Sequence, residues 1–346
     1  DQTLPGLRYA TYTKCPSFGG TVKSANLDEV KGFPGVVDAF ILQGNDNEMQ
    51  LYAGVAILAR STYEAFQAEK KLRVVWDYSN ASKDSWSALS EQAAKLTAGP
   101  GEVGTDKGDI SAAIDSAEQV VESYYTYPFL SHANLEPQNC TAWFHGGIME
   151  LWAPSQTPQG VSGQVSGLLG IAKDAVRVNQ LRIGGGFGRR LINDFACEVA
   201  AIAHKVAFPV KLMWGRESDM AHDFYRVGGF HRLTAALDKR GKLSGFRDRT
   251  VTFTAAGGDG KRPVKGGGVG EKNVQFLGVP NLKIETYPTP LKVPAGWWRA
   301  PSSCSLAWVF QGFLHEASVA AKRDHLEFLL EQFGKPPFGK IRRNAL

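Results

Sequence analysis

The chain has 346 residues, of which 43% are hydrophobic and 21% are charged, and its formal net charge is +5. This length can bury large cores and predicts two domains rather than one. No apolar run approaches the roughly 20 residues that a membrane-spanning helix needs. The basic residues are scattered except at residues 335–343. Composition therefore excludes a membrane span and argues against nucleic-acid binding.

The N-terminal region is typical of a small α/β domain. Residues 35–42 and 51–59 are rich in apolar and β-branched side chains and predict two strands, and residues 72–76 predict another. Ser61 or Thr62 can cap a short helix between them. We predict a domain over residues 1–80.

The next stretch changes in composition. Residues 80–115 are rich in Ser, Ala, Gly, Lys and Asp, and they show no periodic apolar face. We predict a linker or an extended surface strap over residues 81–117.

A second domain is predicted over residues 118–346. Residues 120–127 are strand-like, 131–144 are predicted as a loop, and the strand before the glycine-rich turn 183–190 is short because its alternation fails near Asn179. A helix follows, capped by Asn193 or Asp194 and stopped by Pro209 before a strand. Its predicted apolar face consists of Phe195, Val199, Ile202 and Val206.

Two more helices are predicted near the end of the chain. Asp324 with Glu327 offers a capping box for the helix 325–333. The helix before it has an apolar face made of Leu306, Val309, Phe310, Phe313 and Ala317.

The four cysteines lie far apart. Cys15, Cys140, Cys197 and Cys304 form no C-x-x-C pair, so they predict neither a zinc site nor an iron–sulfur cluster. We predict buried small hydrophobes, and a disulfide stays open.

The stretch IGGGFGRR at residues 183–190 has four glycines in five residues. Before a helix N-terminus, such a turn allows close backbone approach and favours an anionic ligand, to which Arg189 and Arg190 could add charge-assisted hydrogen bonds. The alternative is a tight turn that serves packing alone. A Rossmann fingerprint is excluded because its third glycine would fall on Arg189.

Two side chains beside this turn could face a ligand. Phe187 is a large apolar residue among glycines, so it either walls a cavity or plugs a local core. Gln156 lies between Pro154 and Pro158, which would hold a neutral amide in one direction and let it donate to an oxo group. The alternative is a solvated glutamine in a proline-rich turn.

Three further sequence patterns contain residues that could bind a ligand or a metal. Arg299 follows two tryptophans and could bind a phosphate or a carboxylate, or else stack on Trp298. A metal site at His132, Glu136 and Cys140 is rejected because Pro137 breaks the helical spacing. The glycine-rich stretch 266–271 is typical of a mobile hairpin, and no G-x-S-x-G elbow occurs.

Taken in order, the motifs become recognisable. HANLEPQNCTA, WAPSQTPQ, GGGFGRR with NDF, LMWGRESDMAHDFYR and GWWRAPSS resemble the molybdenum-binding large subunit of the xanthine oxidase family, in its isoquinoline 1-oxidoreductase beta-subunit branch. The resemblance covers nearly the whole chain. It implies an α+β fold, with a small α/β hammerhead domain followed by the first of two molybdopterin-binding domains.

The resemblance also implies a cofactor and roles for particular residues. The cofactor would be molybdenum on molybdopterin, in the cytosine dinucleotide form. Gly185, Gly186, Phe187 and Gly188 would lie near the molybdenum, with Phe187 walling the substrate pocket. Gln156 would donate to an apical oxo ligand, and Arg299 would lie beside cofactor or substrate. Arg189 and Arg190 replace the Gly-Lys of many relatives and would serve the cofactor's anionic groups or secure the loop.

The implied reaction is hydroxylation of an N-heteroaromatic ring or an aldehyde, with oxygen from water and electrons leaving through iron–sulfur clusters on a partner subunit. The family's glutamate base follows the arginine motif, whereas Glu271 precedes Arg299, so we interpret Glu271 as a coincidence.

The extent of the chain, judged against the family, predicts a fragment or one product of a split subunit. A chain or segment carrying the second molybdopterin-binding domain would then be a partner. The alternative function is a non-catalytic binding or scaffold module. Residues 1–10 have no signal-peptide pattern, yet relatives of this branch imply a periplasmic location, with the cytoplasm as the alternative.

Overall fold

A computed structural model of the chain describes residues 2–45, 47, 49–274 and 278–332. Two compact units are formed, each from separate stretches of sequence. Unit 1 consists of the described residues of Asp1–Lys83, Ser131–Tyr225 and Lys292–Trp297, and unit 2 of those of Asp84–Leu130, Arg226–Leu291 and Trp298–Leu346. The predicted domain boundaries, after residue 80 and after residue 117, divide the chain into consecutive segments, whereas each unit combines separate stretches. These boundaries stay a prediction.

Strands and helices alternate irregularly along the described residues, in agreement with an α+β fold. The strands are β1 (Arg8–Lys14), β2 (Thr21–Ala25), β3 (Val36–Leu42), β4 (Gly54–Ala59), β5 (Val74–Asp77), β6 (Glu102–Lys107), β7 (Gln119–Tyr127), β8 (Asn139–His145), β9 (Ile148–Ala153), β10 (Val176–Gln180), β11 (Val210–Met213), β12 (Gly229–Leu237), β13 (Leu243–Ala255) and β14 (Asn281–Leu291). The helices are α1 (Leu27–Lys31), α2 (Thr62–Glu69), α3 (Trp86–Leu96), α4 (Ile110–Asp115), α5 (Pro158–Leu169), α6 (Asp194–Ala203), α7 (Arg216–Ala221), α8 (Glu271–Val274), α9 (Ser303–Ala320) and α10 (His325–Gln332).

Unit 1 is built on a seven-stranded sheet in the order β10-β9-β8-β11-β1-β4-β3. Strand β1 pairs parallel with β11 and antiparallel with β4. Strand β4 is buried at every position, which explains its nearly continuous apolar sequence. Helices α5 and α6 contribute to the core that includes Ala56 and Leu58, and α6 is buried at every residue.

The opposite face of β4 has a smaller core. Successive strand residues point to opposite faces, so Ile57 packs away from Ala56 and Leu58, against Val30 of α1 and Ala68 of α2. The two-stranded sheet β2-β5 belongs to this region. As predicted, Ser61 caps α2, because its side chain accepts a hydrogen bond from the Glu64 N–H.

Unit 2 has a five-stranded sheet in the order β6-β14-β13-β12-β7. Strands β13 and β14 are parallel, and the other neighbours are antiparallel. Helix α9 packs on this sheet with the predicted apolar face, and Phe310 and Phe313 are buried in the core. The predicted capping of α10 is also present, since Asp324 Oδ1 accepts from the Glu327 N–H at 3.0 Å.

Regular structure is present in the stretch that was predicted to be a linker or an extended surface strap. Helix α3, strand β6 and helix α4 lie there. Helix α3 fully buries only Ala93, but Trp86, Leu89, Ala93 and Leu96 fall at helical spacing, a signal that the sequence interpretation overlooked. Ser85 and Asp109 cap the two helices, and β6 is stabilised by pairing with β14. Capping and strand pairing therefore add to hydrophobic patterning in this stretch.

Helix α5 was not predicted either. Pro158 at its first turn and the buried Val161 and Val165, four residues apart, were the signals that indicate it. The glycine-rich stretch 266–270 is followed by the short helix α8 rather than by a hairpin strand. Predictions for residues 333 and 335–343 lie outside the described residues.

Membrane-spanning helices and disulfides are both absent from the described residues. Within these ranges, no helix combines the length and the apolar character needed to cross a bilayer. All four cysteines carry free thiols, and three of them are buried while Cys304 is partly exposed.

Candidate functional site

The glycine-rich turn lies in unit 1, between β10 and α6. Gly185 and Gly188 have φ values of 107° and 105°, a region that favours glycine. Gly186 is required for a different reason, because a Cβ there would lie 2.6 Å from Gln156 Oε1. The backbone of this turn is therefore closely approached by the protein's own side chains.

Gln156 is held in one orientation by this turn. Its backbone N–H donates to the Arg190 carbonyl at 2.9 Å, and its Oε1 accepts from the Gly188 N–H at 3.2 Å. The side chain is exposed, and its Nε2 donates to no residue in the described part of the chain. The predicted fixed amide is present, with its NH₂ group available as a donor.

Arg190 ties three motif loops together. Its guanidinium donates to the carbonyls of Gly185 and Pro154 at 3.1 and 3.0 Å, and to the carbonyl and the carboxylate of Glu136 at 3.1 and 3.0 Å. Glu136 also accepts from the Gly184 N–H at 2.8 Å. Arg190 is fully buried. It therefore secures the loop, which is the second of its two predicted roles.

Arg189 also points inward. Its guanidinium makes a bidentate pair with Asp194, at 2.9 and 2.8 Å, and its Nε lies 2.9 Å from Asp223 Oδ1. Burial lowers the pKa of Arg189, but the two carboxylates outweigh burial and raise that pKa above its usual value. With 1% exposure, Arg189 secures the loop rather than presenting charge to a ligand.

The turn and α6 are not directly joined as the sequence predicted. A 3-10 turn at Arg189–Leu191 separates them, and α6 begins only at Asp194, after the cap residue Asn193. The glycine backbone is therefore not part of the first turn of α6, and the expected anion site stays a prediction. Ser155 donates to Asn193 Oδ1 at 2.6 Å.

Phe187 is 48% exposed and has a φ of 54°. It does not plug a core, because half of its side chain is accessible. Leu135, next to Gly185 in space, is 91% exposed. Two large apolar side chains thus flank the glycine backbone at the surface of unit 1.

Backbone strain is concentrated in the predicted motifs. Among the described non-glycine residues, positive φ occurs at Ala133, Phe187, Ala300, Ser302 and Lys322. All of these except Lys322 lie in the HANLEP, GGGFG or WWRAPSS motif. Strained residues collect at functional sites, so their positions support these loops as functional.

The structure brings most of the predicted site residues together. Gln156, Gly185, Gly186, Phe187, Gly188, Arg189 and Arg190 form one connected cluster in unit 1. Arg299 lies in unit 2, where its side chain is exposed. Glu271 is paired with Lys107 in the same unit, which agrees with its interpretation as a coincidence.

A second buried ion pair joins α6 to β1 and was missed by sequence reasoning. Lys14 Nζ and Glu198 Oε1 are 2.6 Å apart, and Trp214 Nε1 donates to Glu198 Oε2 at 2.7 Å. Burial raises the pKa of Glu198 and lowers that of Lys14. A carboxylate inside the otherwise apolar FACEVAAIA was the available signal.

Asp194 and Asp223 were also missed as partners of Arg189. Asp194 was noted only as a helix cap, and Asp223 lies more than thirty residues away in the sequence, so no spacing rule connects them. The rejected metal ligands serve other partners. His132 contacts Asp223, Glu136 contacts Arg190, and Cys140 is buried. No cluster of three metal-binding side chains occurs among the described residues.

The cluster fits a large polar ligand at the glycine backbone. Within the described ranges, the Gln156 NH₂ group donates to no other residue. Asn134, which is fully buried beside Gly185, has no partner for either side-chain polar atom within the described ranges. Such groups are expected where a bound molecule or water completes the hydrogen bonds.

In unit 1, a glycine-rich backbone, a fixed amide and an exposed aromatic ring lie close together. The sequence profile described as "Molybdopterin cofactor-binding domain" matches residues 95–332. The chain therefore belongs to this family, within the xanthine oxidase family of molybdenum-binding subunits. The predicted resemblance is confirmed.

Related proteins agree with this assignment. The chain is 28% identical to the membrane-bound aldehyde dehydrogenase (pyrroloquinoline-quinone) of Gluconacetobacter polyoxogenes over 96% of its length. It is 27% identical to the isoquinoline 1-oxidoreductase subunit beta of Brevundimonas diminuta over 71% of its length. These matches span 44% and 32% of the relatives' own lengths.

A solved structure supports the fold. Quinoline 2-oxidoreductase from Pseudomonas putida 86 superposes with a TM-score of 0.76 at 16% identity, over 97% of this chain and 48% of that chain. The predicted architecture, a hammerhead domain followed by the first molybdopterin-binding domain, is confirmed. The chain thus spans about half the length of such proteins or less.

Proposed function

We propose that this chain is the molybdenum-cofactor-binding part of a molybdenum hydroxylase. One observation carries the proposal: the Gly188 N–H fixes Gln156 Oε1, so the amide NH₂ is directed away from the loop as a ready donor. An amide held this way can orient a cofactor oxygen without losing side-chain entropy on binding. The family membership supplies the identity of the cofactor.

The residues of unit 1 have distinct tasks in this proposal. Gln156 donates to the cofactor, and the backbone at Gly185, Gly186 and Gly188 lets it approach. Phe187 limits the substrate space with its exposed ring. Arg189 and Arg190 do not contact the cofactor, because their guanidinium groups are buried and occupied.

Arg299 is assigned to the cofactor or substrate from its motif. Its side chain is exposed and its loop is strained at Ala300 and Ser302, so the guanidinium can bind an anionic or carbonyl oxygen. When bound, the molybdenum cofactor supplies hydroxylation of an electron-poor carbon with oxygen from water, and two electrons pass to iron–sulfur clusters. In this proposal, the exposed ring of Phe187 helps to orient the substrate.

The substrate class is an N-heteroaromatic compound or an aldehyde. The names of the relatives, an isoquinoline oxidoreductase and an aldehyde dehydrogenase, cover both groups. The printed name of the aldehyde dehydrogenase includes pyrroloquinoline quinone. The match to the molybdopterin cofactor-binding domain nevertheless favours molybdopterin as the cofactor of this chain. We further propose that the cofactor is in the cytosine dinucleotide form. The partners would be an iron–sulfur subunit and a chain or segment with the second molybdopterin-binding domain, and the location would be the periplasm.

The test is the molybdenum content of the protein purified from its own cells, together with whatever chains accompany it. We expect about one molybdenum atom per copy by inductively coupled plasma mass spectrometry. Gln156→Ala should lower retention of the metal, whereas Gln159→Ala, an exposed glutamine in α5, should not. Mass spectrometry of the released organic part identifies the dinucleotide.

Absence of molybdenum from folded protein grown with molybdate would refute the enzyme proposal. The alternative, a non-catalytic binding or scaffold module, would then be favoured. A released molecule other than a pterin would indicate a different ligand at the glycine backbone.

A further inference from the structure

Two histidines lie close together in unit 2, near the junction of α9 and α10. His315 belongs to α9, and His325 is the first residue of α10. Their ring centroids are 4.8 Å apart, and the two ring planes are nearly perpendicular, at 84°. His315 is exposed and His325 is partly exposed, so an ion in solution can reach both rings.

This distance fits two ligands of one metal ion. With metal–nitrogen bonds of about 2.0–2.1 Å and an angle near tetrahedral, two coordinating imidazoles have centroids roughly 5 Å apart. Each nitrogen binds a metal in the plane of its own ring, so perpendicular rings can converge on one ion. Edge-to-face packing of two rings without an ion has a similar separation. The hydrogen bonds of the two rings therefore matter.

Ser318 orients the ring of His325. The Ser318 hydroxyl donates to the His315 carbonyl at 2.7 Å and lies 3.1 Å from His325 Nδ1. Since a hydroxyl has one hydrogen, the Ser318 oxygen accepts from Nδ1–H, which leaves His325 Nε2 without a hydrogen in the neutral ring. A histidine that binds a metal commonly donates a hydrogen bond through its other ring nitrogen. Ser318 is buried, so this contact is shielded from water.

The remaining ring nitrogens are available to a ligand. His325 Nε2 makes no hydrogen bond to any residue in the described part of the chain, and neither does the ring of His315. At least one nitrogen from each helix can therefore bind an ion without breaking a hydrogen bond of the protein.

The charge state of His325 suits a metal ligand. Burial and the neighbouring His315 lower the pKa of His325, and the charge of Asp324 only partly opposes them. A histidine whose pKa is lowered is neutral near pH 7, and the neutral ring is the form that binds metals. The carboxylate of Asp324 adds a negative charge beside the pair, which favours a cation.

The other charged side chains around this junction are engaged elsewhere. Arg323 pairs with Glu331 of α10. Glu316, next to His315 in the sequence, accepts from the hydroxyls of Ser123 and Tyr125 in β7. Neither of these groups is directed to the histidine pair, so water would complete the coordination of an ion.

We propose that His315 and His325 form a surface site for a divalent late first-row transition metal, and that the bound ion fastens α10 to α9. Imidazole nitrogens favour Ni²⁺, Cu²⁺ and Zn²⁺ over the hard cations Mg²⁺ and Ca²⁺. No third metal-binding side chain joins the two histidines within the described ranges, so the site has two protein ligands. The inference does not depend on molybdenum binding, because both histidines lie in unit 2.

Isothermal titration of the whole chain with NiCl₂ at about pH 7.5, where histidine is mostly neutral, measures the site. His315→Ala and His325→Ala should each lower the affinity for Ni²⁺ by more than about tenfold, because even the loss of a group that orients a ligand costs that much. Ser318→Ala should lower it by about tenfold. His204→Ala changes an exposed histidine that contacts Phe144 and should leave the affinity unchanged.

An affinity for Ni²⁺ that is unchanged in both histidine variants would overturn the proposal. Binding that is lost only in Cys304→Ser would do the same, since it would place the ion at the partly exposed thiol. Because His315 is exposed, His315→Ala should fold like the wild type, so it decides the question even if His325→Ala unfolds. Circular dichroism of each variant without metal checks the fold.

Hydrogen exchange measures the fastening of α10. At a Ni²⁺ concentration about 100 times the Kd, protection of residues 325–332 should rise by up to about a hundredfold, because the ion binds only when both helices are in place. Helix α3, in the same unit, should show no change. In His315→Ala, Ni²⁺ should not protect α10. Exchange in residues 325–332 that does not respond to saturating Ni²⁺ would refute the fastening role.

Discussion

Single residues explain why the glycine turn has its composition. The turn is crowded by Gln156 and Glu136 from the protein itself, and its two arginines are occupied internally. A sequence of glycines followed by arginines is typical of an anion site, but here the cations face inward. The side chain left to act on a ligand is the neutral amide of Gln156, whose oxygen is already used by Gly188.

Gly186→Ala tests this arrangement. The new Cβ would lie 2.6 Å from Gln156 Oε1 and displace the amide. We expect a loss of about 1 kcal/mol in unfolding free energy, the value of one hydrogen bond, and a several-fold loss of bound molybdenum. Urea unfolding and metal analysis measure the two effects.

Gly163→Ala is the matched control, because a Cβ at this exposed position of α5 meets nothing within 4 Å. It should stabilise the protein by about 0.5–1 kcal/mol. Wild-type stability and metal content in the Gly186→Ala protein would contradict the proposed role of the close approach.

At the scale of elements, α6 is the support on which the site depends. It is buried at every residue, and its two charged residues lie one turn apart on the same face. Asp194 at its first turn binds Arg189, and Glu198 one turn later binds Lys14 of β1. The helix thus connects the glycine turn to the centre of the seven-stranded sheet.

Glu198→Gln should destabilise the protein strongly. It leaves the Lys14 charge buried without a partner, which costs about 3–5 kcal/mol, while Gln can still accept from Trp214. The double variant Lys14→Met with Glu198→Gln should recover most of this loss, because neither charge remains. Denaturant unfolding of the single and double variants measures the coupling.

The exposed pair Glu91 and Lys95 in α3 is the control. Glu91→Gln should change stability by no more than about 0.5 kcal/mol. If Glu198→Gln behaved like this surface variant, the buried pair would not be important for stability.

At the scale of the whole molecule, sequence order and compact units do not coincide. Each unit is assembled from three stretches, and the predicted boundaries cut through both sheets. In unit 1, β1, β4 and β3 precede the cut at 117/118, whereas β10, β9, β8 and β11 follow it. In unit 2, β6 is separated from β14 by the same cut.

Splitting the chain at 117/118 should therefore give two pieces that do not fold alone. Each piece would expose an unpaired edge of an internal strand, β1 in one and β11 in the other. Circular dichroism and urea unfolding of each piece should lack a cooperative transition, and coexpression should restore it. A cooperative transition in the piece 1–117 alone would support the predicted domain boundary instead.

Predictability differed between elements for a physical reason. Strand β4 and helices α6 and α9 were predicted because they bury continuous or periodic apolar faces. Helix α4 was missed because it has only six residues, and α3 and α5 were missed although their apolar residues fall at helical spacing. The motif residues were found, but their internal partners were not.

The sequence by itself determined the family and the apolar elements, since these depend on residue type and short-range order. Only the tertiary structure decided what Arg189 and Arg190 do. Their partners, among them Asp223 and Glu136, come from distant stretches that meet through sheet pairing and loop packing. The charge of a side chain follows from the residue type. Whether that side chain faces the protein interior or a ligand depends on contacts between residues that are distant in the sequence.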